Sequence, residues 1–165
     1  MIFDLEPIFA GVGSTLPVAY SIDFSDVELD GVHPFTGPIR VTGEFRNRAD
    51  VVYVDVTARF ALDLFCDRCA SPMRREYEIP VSHVLVRELN DERSDELICI
   101  ESVRFELDEL VSDDIFLSLP TKFLCREDCK GLCPRCGQNL NEGSCSCKKA
   151  VDPRLEGLLQ FLDHT

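Results

Sequence analysis

The sequence predicts a mainly β, α+β fold: an antiparallel sheet or partly open barrel of about five to six strands, two short helices and a cysteine-rich C-terminal module. Three observations predict it. Long segments alternate apolar and polar residues, two segments carry helical spacing bounded by proline, and six of the nine cysteines fall within Cys125–Cys147. A chain of 165 residues, 45% apolar and 28% charged, suits one ordinary folded domain with a small appendage.

Residues 1–14 carry Ile2, Phe3, Leu5, Ile8 and Phe9 and end at Gly11-Val12-Gly13, which reads as a short docking segment. From Leu16 to Phe24 the even positions Leu16, Val18, Tyr20, Ile22 and Phe24 are apolar, the period of a half-buried strand. Ile39, Val41, Gly43 and Phe45 resume that pattern, with Arg40, Thr42, Glu44 and Arg46 facing away. Asn47 to Asp50 reads as a turn. A long strand follows, with Val52, Val54, Val56, Ala58, Phe60, Leu62 and Leu64 on one face. It ends at Cys66-Asp67-Arg68-Cys69, and Tyr77, Ile79, Val81, His83 and Leu85 continue the alternation on the return. The two strands make a hairpin with a CxxC at its tip. Pro80 must sit at an edge or bulge, because it cannot donate to the ladder.

Leu97 to Ile100 is a short apolar strand, in which Cys99 reads as a small core residue. LDELVSDDIFLSLP is helical, with Asp108 as its cap, Leu110, Val111 and Ile115 on one face, and Pro120 as its stop. DPRLEGLLQFLD is a second helix, capped by Asp152 and opened by Pro153, with Leu155, Leu158, Leu159 and Leu162 at i, i+3, i+4 and i+7. Three units result: an acidic antiparallel β domain over 1–120 with the CxxC hairpin tip, a cysteine-rich module over 121–150, and a C-terminal amphipathic helix over 151–165.

The N-terminus has acids where a signal peptide needs positive charge, and no stretch approaches the roughly 20 apolar residues of a membrane span. A cytoplasmic protein is therefore expected. In that compartment clustered cysteines hold metal more often than they form disulfides. Tetrahedral zinc takes four thiolates, and a CxxC loop lets two side chains converge on one ion. In Cys133-Pro134-Arg135-Cys136-Gly137 the glycine supplies the positive φ that such a knuckle needs. Eight cysteines divide into two sets of four, hence two structural zinc ions in closed sites. One set is Cys133, Cys136, Cys145 and Cys147, a compact ribbon. The other is Cys66 and Cys69 from the hairpin with Cys125 and Cys129. Spacing alone leaves open other pairings, such as Cys125 and Cys129 with Cys133 and Cys136.

Catalytic zinc keeps an open position and commonly a histidine ligand. The only histidines are His33, His83 and His164, none with a partner at ligand spacing, and His83 reads as a satisfied core or edge residue. No enzyme and no small-molecule substrate are expected. The net charge of −13 is uneven: residues 1–120 hold 24 acids and 10 bases, and residues 121–165 hold 6 acids and 7 bases. Such a surface repels phosphate backbone and attracts a basic protein. Arg68, Arg74, Arg75, Arg126, Lys130, Arg135, Lys148 and Lys149 lie near the ligands in sequence, offset thiolate charge, and form the one basic patch for RNA.

CDRCASP in the hairpin, LSLPTKFLCREDCKGLCPRCGQNLNEGSCSC and the closing DPRLEGLLQFL together resemble the YceD-like family, proteins of large ribosomal RNA subunit accumulation. The resemblance runs over roughly residues 66–163 and is most specific where DCKGLCPRCGQNLN and DPRL stand together. By position, Cys66 and Cys69 match the family's hairpin cysteines, and Cys129, Cys133, Cys136, Cys145 and Cys147 its C-terminal cluster. The resemblance implies a role in large-subunit biogenesis linked to 23S rRNA and a small ribosomal protein.

The resulting expectation is a non-catalytic zinc-binding assembly factor that binds a ribosomal protein or pre-50S particle, with limited rRNA contact through the patch Arg126–Lys149. Two other readings compete with it. One is a zinc-ribbon nucleic-acid-binding regulator, favoured by the basic patch and opposed by the acidity of residues 1–120. The other is a thiol redox protein using Cys66 and Cys69, although redox CxxC motifs lie between a strand and a helix and here both flanks read as strand.

Overall fold

The computed structural model describes residues 1–11, 13–29, 31–49, 51–87, 97–100 and 102–147. The helix expected over 151–165, with Lys148 and Lys149, lies outside them.

Four strands form an antiparallel meander: β2 (Thr15–Ile22), β3 (Ile39–Arg48), β4 (Val51–Phe65) and β5 (Pro72–Val86), numbered after β1 (Ile2–Asp4). A short β6 (Leu97–Cys99) completes the order β2-β3-β4-β5-β6, so the sheet is open and not a closed barrel. Alternation sets the inner face. Val52, Val54, Val56, Ala58, Phe60, Leu62 and Leu64 of β4 are all buried, beside Val41 and Phe45 of β3 and Ile79, Val81 and Leu85 of β5. The outer face carries exposed ion pairs between neighbouring strands: Arg59–Glu78 at 2.7 Å, Arg74–Asp63 at 3.2 Å and Arg46 with Asp55. Solvent screens such exposed pairs, so they add little to stability.

A second layer closes the inner face. β1 pairs antiparallel with β7 (Arg104–Glu106), and the helices α1 (Glu6–Ala10) and α2 (Leu107–Ser118) follow these two strands. Leu5, Ile8, Leu107, Val111 and Ile115 are buried in the same core as the sheet residues. The N-terminal docking segment therefore docks on its own domain. His83 on β5 meets Asp114 of α2 at 2.8 Å, a satisfied contact at the sheet–helix seam.

Four expectations need correction. β6 runs parallel to β5, with Val84 opposite Leu97 and Val86 opposite Cys99, so the sheet is mixed. Alternation reports which face a residue takes and is blind to strand direction. Cys99 is exposed, because Ile98 packs on the core and Ile100 is buried, which turns the residue between them outward. Asn47 is not in a turn: β3 continues to Arg48, and Asn47 is buried, donating from Nδ2 to the Ile8 carbonyl at 2.7 Å. Asp108 does not cap α2; the cap is Glu106 in extended conformation without a side-chain bond, and Asp108 lies in the acidic first turn. A carboxylate there still favours the helix dipole. The edge reading of Pro80 holds: it pairs with Thr57 of β4, and β6 reaches β5 only over Val84–Val86.

Candidate metal centres

β4 and β5 are the longest strands, and their register from Val52–Leu85 to Phe65–Pro72 places residues 66–71 at the hairpin tip. The tip is a tight knuckle. The Cys66 amide donates to the Ser71 carbonyl at 2.9 Å, and the Ala70 amide donates back to the Cys66 carbonyl at 2.8 Å with Ala70 at φ +54°. The second CxxC repeats this geometry with glycine: Gly137 sits at φ +72° and its amide donates to the Cys133 carbonyl at 2.8 Å. In both loops the residue after the second cysteine takes the left-handed region.

The segment after α2 is laced onto the hairpin tip. Asp67 clasps Phe123 at two points, its amide donating to the Phe123 carbonyl at 2.9 Å and its Oδ2 accepting the Phe123 amide at 2.6 Å. Phe123 itself is buried in the main core. Arg75 donates to the Leu124 carbonyl, and Arg68 Nη1 to the Cys129 carbonyl at 2.9 Å. The Leu132 amide donates to the Arg68 carbonyl at 3.0 Å. Gly131, at φ +75°, makes that approach possible, since a Cβ there would stand 3.0 Å from the Arg68 carbonyl oxygen.

This lacing brings Cys66, Cys69, Cys125 and Cys129 together, the hairpin group, with all four sulfurs within 4.8 Å of one another. The Cys66–Cys129 and Cys69–Cys125 sulfur separations are 3.7 and 3.6 Å. A regular tetrahedron of metal–sulfur bonds of about 2.3 Å has edges of about 3.8 Å. Those two separations already match the spacing that a zinc ion requires. Cys66, Cys69 and Cys129 are buried. The other four, Cys133, Cys136, Cys145 and Cys147, form the ribbon group, again within 4.8 Å of one another. Among the described residues these are the two groups able to hold a metal, and neither contains a histidine or a carboxylate.

The electrostatics of both groups favour a cation. Burial opposes ionisation of Cys66, but the backbone amides of Cys125, Cys69 and Arg68 overcome it and hold the thiol at about 6. Amides of Cys136 and Arg135 do the same for Cys133, also at about 6. At least one partner in each group moves the other way. Burial and the neighbouring sulfurs of Cys69 and Cys129 push Cys125 up to about 12, and the contact with Cys136 and burial push Cys147 up to about 12. In the hairpin group Cys69 is also lowered, by the Ser71 hydroxyl and amide, while in each group at least one thiol resists ionisation through burial and the crowding of neighbouring sulfurs. A bound divalent cation removes that repulsion. The residues present fit zinc in both groups.

Sequence reasoning missed the outer contacts. Asn141 Nδ2 donates to the Cys129 sulfur at 3.3 Å, and Cys69 lies 3.3 Å from the Ser71 hydroxyl. Of the basic side chains near the ligands, Arg68 and Arg75 bond backbone carbonyls, while Arg74 and Arg126 face Asp63 and Asp128. Their positions in the chain gave no hint of those partners.

No helix among the described residues is long and apolar enough to cross a membrane. Similar proteins include uncharacterized protein Rv2926c of Mycobacterium tuberculosis and uncharacterized protein Mb2951c of Mycobacterium bovis, each 31% identical over 101 residues. Each match takes in 59% of this chain and 49% of the relative, so the chain spans about half the length of the curated relatives it matches. No solved structure matches it. The family model described as large ribosomal RNA subunit accumulation protein YceD matches residues 54–162, a stretch that runs from β4 through both cysteine groups, and the chain belongs to the YceD family.

Proposed function

We propose that this chain is a non-catalytic, zinc-braced factor in accumulation and assembly of the large ribosomal subunit, acting by binding a ribosomal protein or a pre-ribosomal particle. The observation that carries the reading is the family match over residues 54–162, the stretch that holds both four-cysteine groups. Closed sets of four thiols leave a zinc ion no open position for water or substrate, which favours an architectural metal. The net charge of −13 favours a basic protein partner over bare phosphate. Several arginines near the ligands are engaged within the fold, which further weighs against a phosphate-binding surface. In the hairpin group Cys66 faces Cys129 and Cys69 faces Cys125, an arrangement suited to a shared ion more than to a redox pair.

Depletion in the source organism should lower 23S rRNA, and the tagged protein should co-sediment with pre-50S particles. Normal rRNA together with no particle association would sink the proposal. Elemental analysis should give two zinc ions per chain. Binding to bare RNA that falls steeply with salt would favour the nucleic-acid reading instead.

A further inference from the structure

The two cysteine groups touch through one side chain. Asn141 belongs to the loop between Cys136 and Cys145, both members of the ribbon group, yet its Nδ2 donates to the sulfur of Cys129 in the hairpin group at 3.3 Å. Its orientation is not arbitrary. The Lys130 amide, which can only donate, bonds Asn141 Oδ1 at 2.8 Å, so the amide nitrogen must be the end that faces the sulfur. Asn139 holds the other side, its Oδ1 accepting from Asn141 Nδ2 at 2.8 Å and from the Asn141 backbone amide at 3.0 Å. The loop itself is pinned to the segment after Cys129, with the Leu140 amide on the Gly131 carbonyl at 2.9 Å.

We propose that Asn141 is a positioning residue for the hairpin metal, supplied by the ribbon loop, and that it couples the two sites so that zinc in one strengthens binding in the other. An amide donor on a coordinating thiolate disperses its charge and fixes its direction, and outer contacts of this kind typically change metal affinity by about 10- to 100-fold. Closing the ribbon around its own ion fixes residues 137–144 and so holds Asn141 against Cys129. By linkage the effect is reciprocal. This inference rests on the reading that both groups hold zinc.

The test is zinc titration of the full chain against a chromogenic chelator, with cobalt substitution as the spectroscopic readout. Asn141→Asp keeps an oxygen for the Lys130 amide and replaces the donor to Cys129 with a repelling carboxylate; Asn141→Ala removes both. Each should weaken the hairpin site by about 10-fold or more and shift its thiolate-to-cobalt charge-transfer band. Opening the ribbon with Cys145→Ser and Cys147→Ser should weaken the hairpin site comparably, and adding Asn141→Ala to it should cost little more. In a Cys66→Ser, Cys69→Ser background, Asn141→Asp should leave the ribbon site's affinity unchanged, which a merely structural role would not. Hairpin affinity unmoved by either Asn141 variant, or losses that simply add, would overturn the coupling while leaving two zinc sites standing. Fewer than two ions bound by the wild-type chain would overturn the zinc reading and the coupling together.

Discussion

The hairpin group and the ribbon group hold the same four ligands by opposite means. The hairpin group joins sulfurs 63 and 56 residues apart, Cys66 to Cys129 and Cys69 to Cys125, and sits between the longest strands and the segment leaving α2. The ribbon group closes wholly within Cys133–Cys147, with Cys136 exposed and only Cys133 buried. Loop length explains little of the difference. In a chain-entropy model a crosslink over roughly 60 residues restrains the unfolded chain only about 1 kcal/mol more than one over roughly 15. What separates the two is what each ion fastens. An ion in the hairpin group would tie a sheet with its own core to the C-terminal module, whereas one in the ribbon group would organise a segment with almost no core of its own.

The largest expected effect tests that contrast directly. Cys66→Ser with Cys69→Ser should lose one zinc and free the module from the hairpin tip, exposing the amides of Asp67 and Leu132 to rapid hydrogen exchange while the sheet remains folded. Its inner face and α2 share a core to which the clasped segment contributes one buried side chain, Phe123. Cys145→Ser with Cys147→Ser should also lose one zinc but leave the Asp67–Phe123 clasp protected. Structural zinc binding is worth on the order of 10 kcal/mol in apparent free energy, so each loss should be all or none at its own site. Equal loss of protection at Asp67 in both variants would show that the two groups form one cooperative unit.

A smaller effect asks how much of the hairpin attachment is protein and how much is metal. Asp67→Ala removes the acceptor for the Phe123 amide, a part-buried donor, and should lower stability by about 1–3 kcal/mol. The change should appear in thermal unfolding of the zinc-loaded protein with zinc stoichiometry unchanged. If the melting temperature does not move, the Asp67 carboxylate contributes nothing to the attachment, which then rests on the backbone and arginine bonds and the metal.

The contrast between the groups also marks what the sequence could reveal. The ribbon is the more legible group because its ligands are neighbours, and the spacing of Cys133, Cys136, Cys145 and Cys147 suits a compact loop even though it leaves other pairings open. The β4–β5 hairpin is legible because seven alternating apolar positions leave one register and one buried face. The hairpin group was less determined, since pairing Cys125 and Cys129 with Cys66 and Cys69 depends on where the chain goes after Pro120. That path is set by contacts of one or two atom pairs each, such as Asp67 with Phe123 and Arg68 with Cys129, and such contacts leave no periodic trace. The same limit hid Asn141, whose partner lies on another loop. It also explains Cys99 and the direction of β6, because a three-residue strand carries too few positions to encode more than its existence.

The smallest effect lies in the two knuckles, which share a backbone but not a residue. Ala70 at φ +54° and Gly137 at φ +72° each follow the second cysteine and bond back to the carbonyl of the first. A Cβ on Gly137 would meet nothing within 4 Å, so Gly137→Ala would cost only the left-handed conformation, about 1–2 kcal/mol. Ala70 already bears that strain, and Ala70→Gly relieves it while adding unfolded-state entropy of about 0.4–1 kcal/mol. The expected outcome is a small gain in hairpin-site stability for Ala70→Gly, up to about 1 kcal/mol, against a clear loss in the ribbon for Gly137→Ala. Chelator competition on each variant reads both. A loss on Ala70→Gly would mean that the hairpin knuckle depends on a stiff residue at 70 to hold Cys69 toward Cys125, making its geometry a product of local strain as well as of the ion.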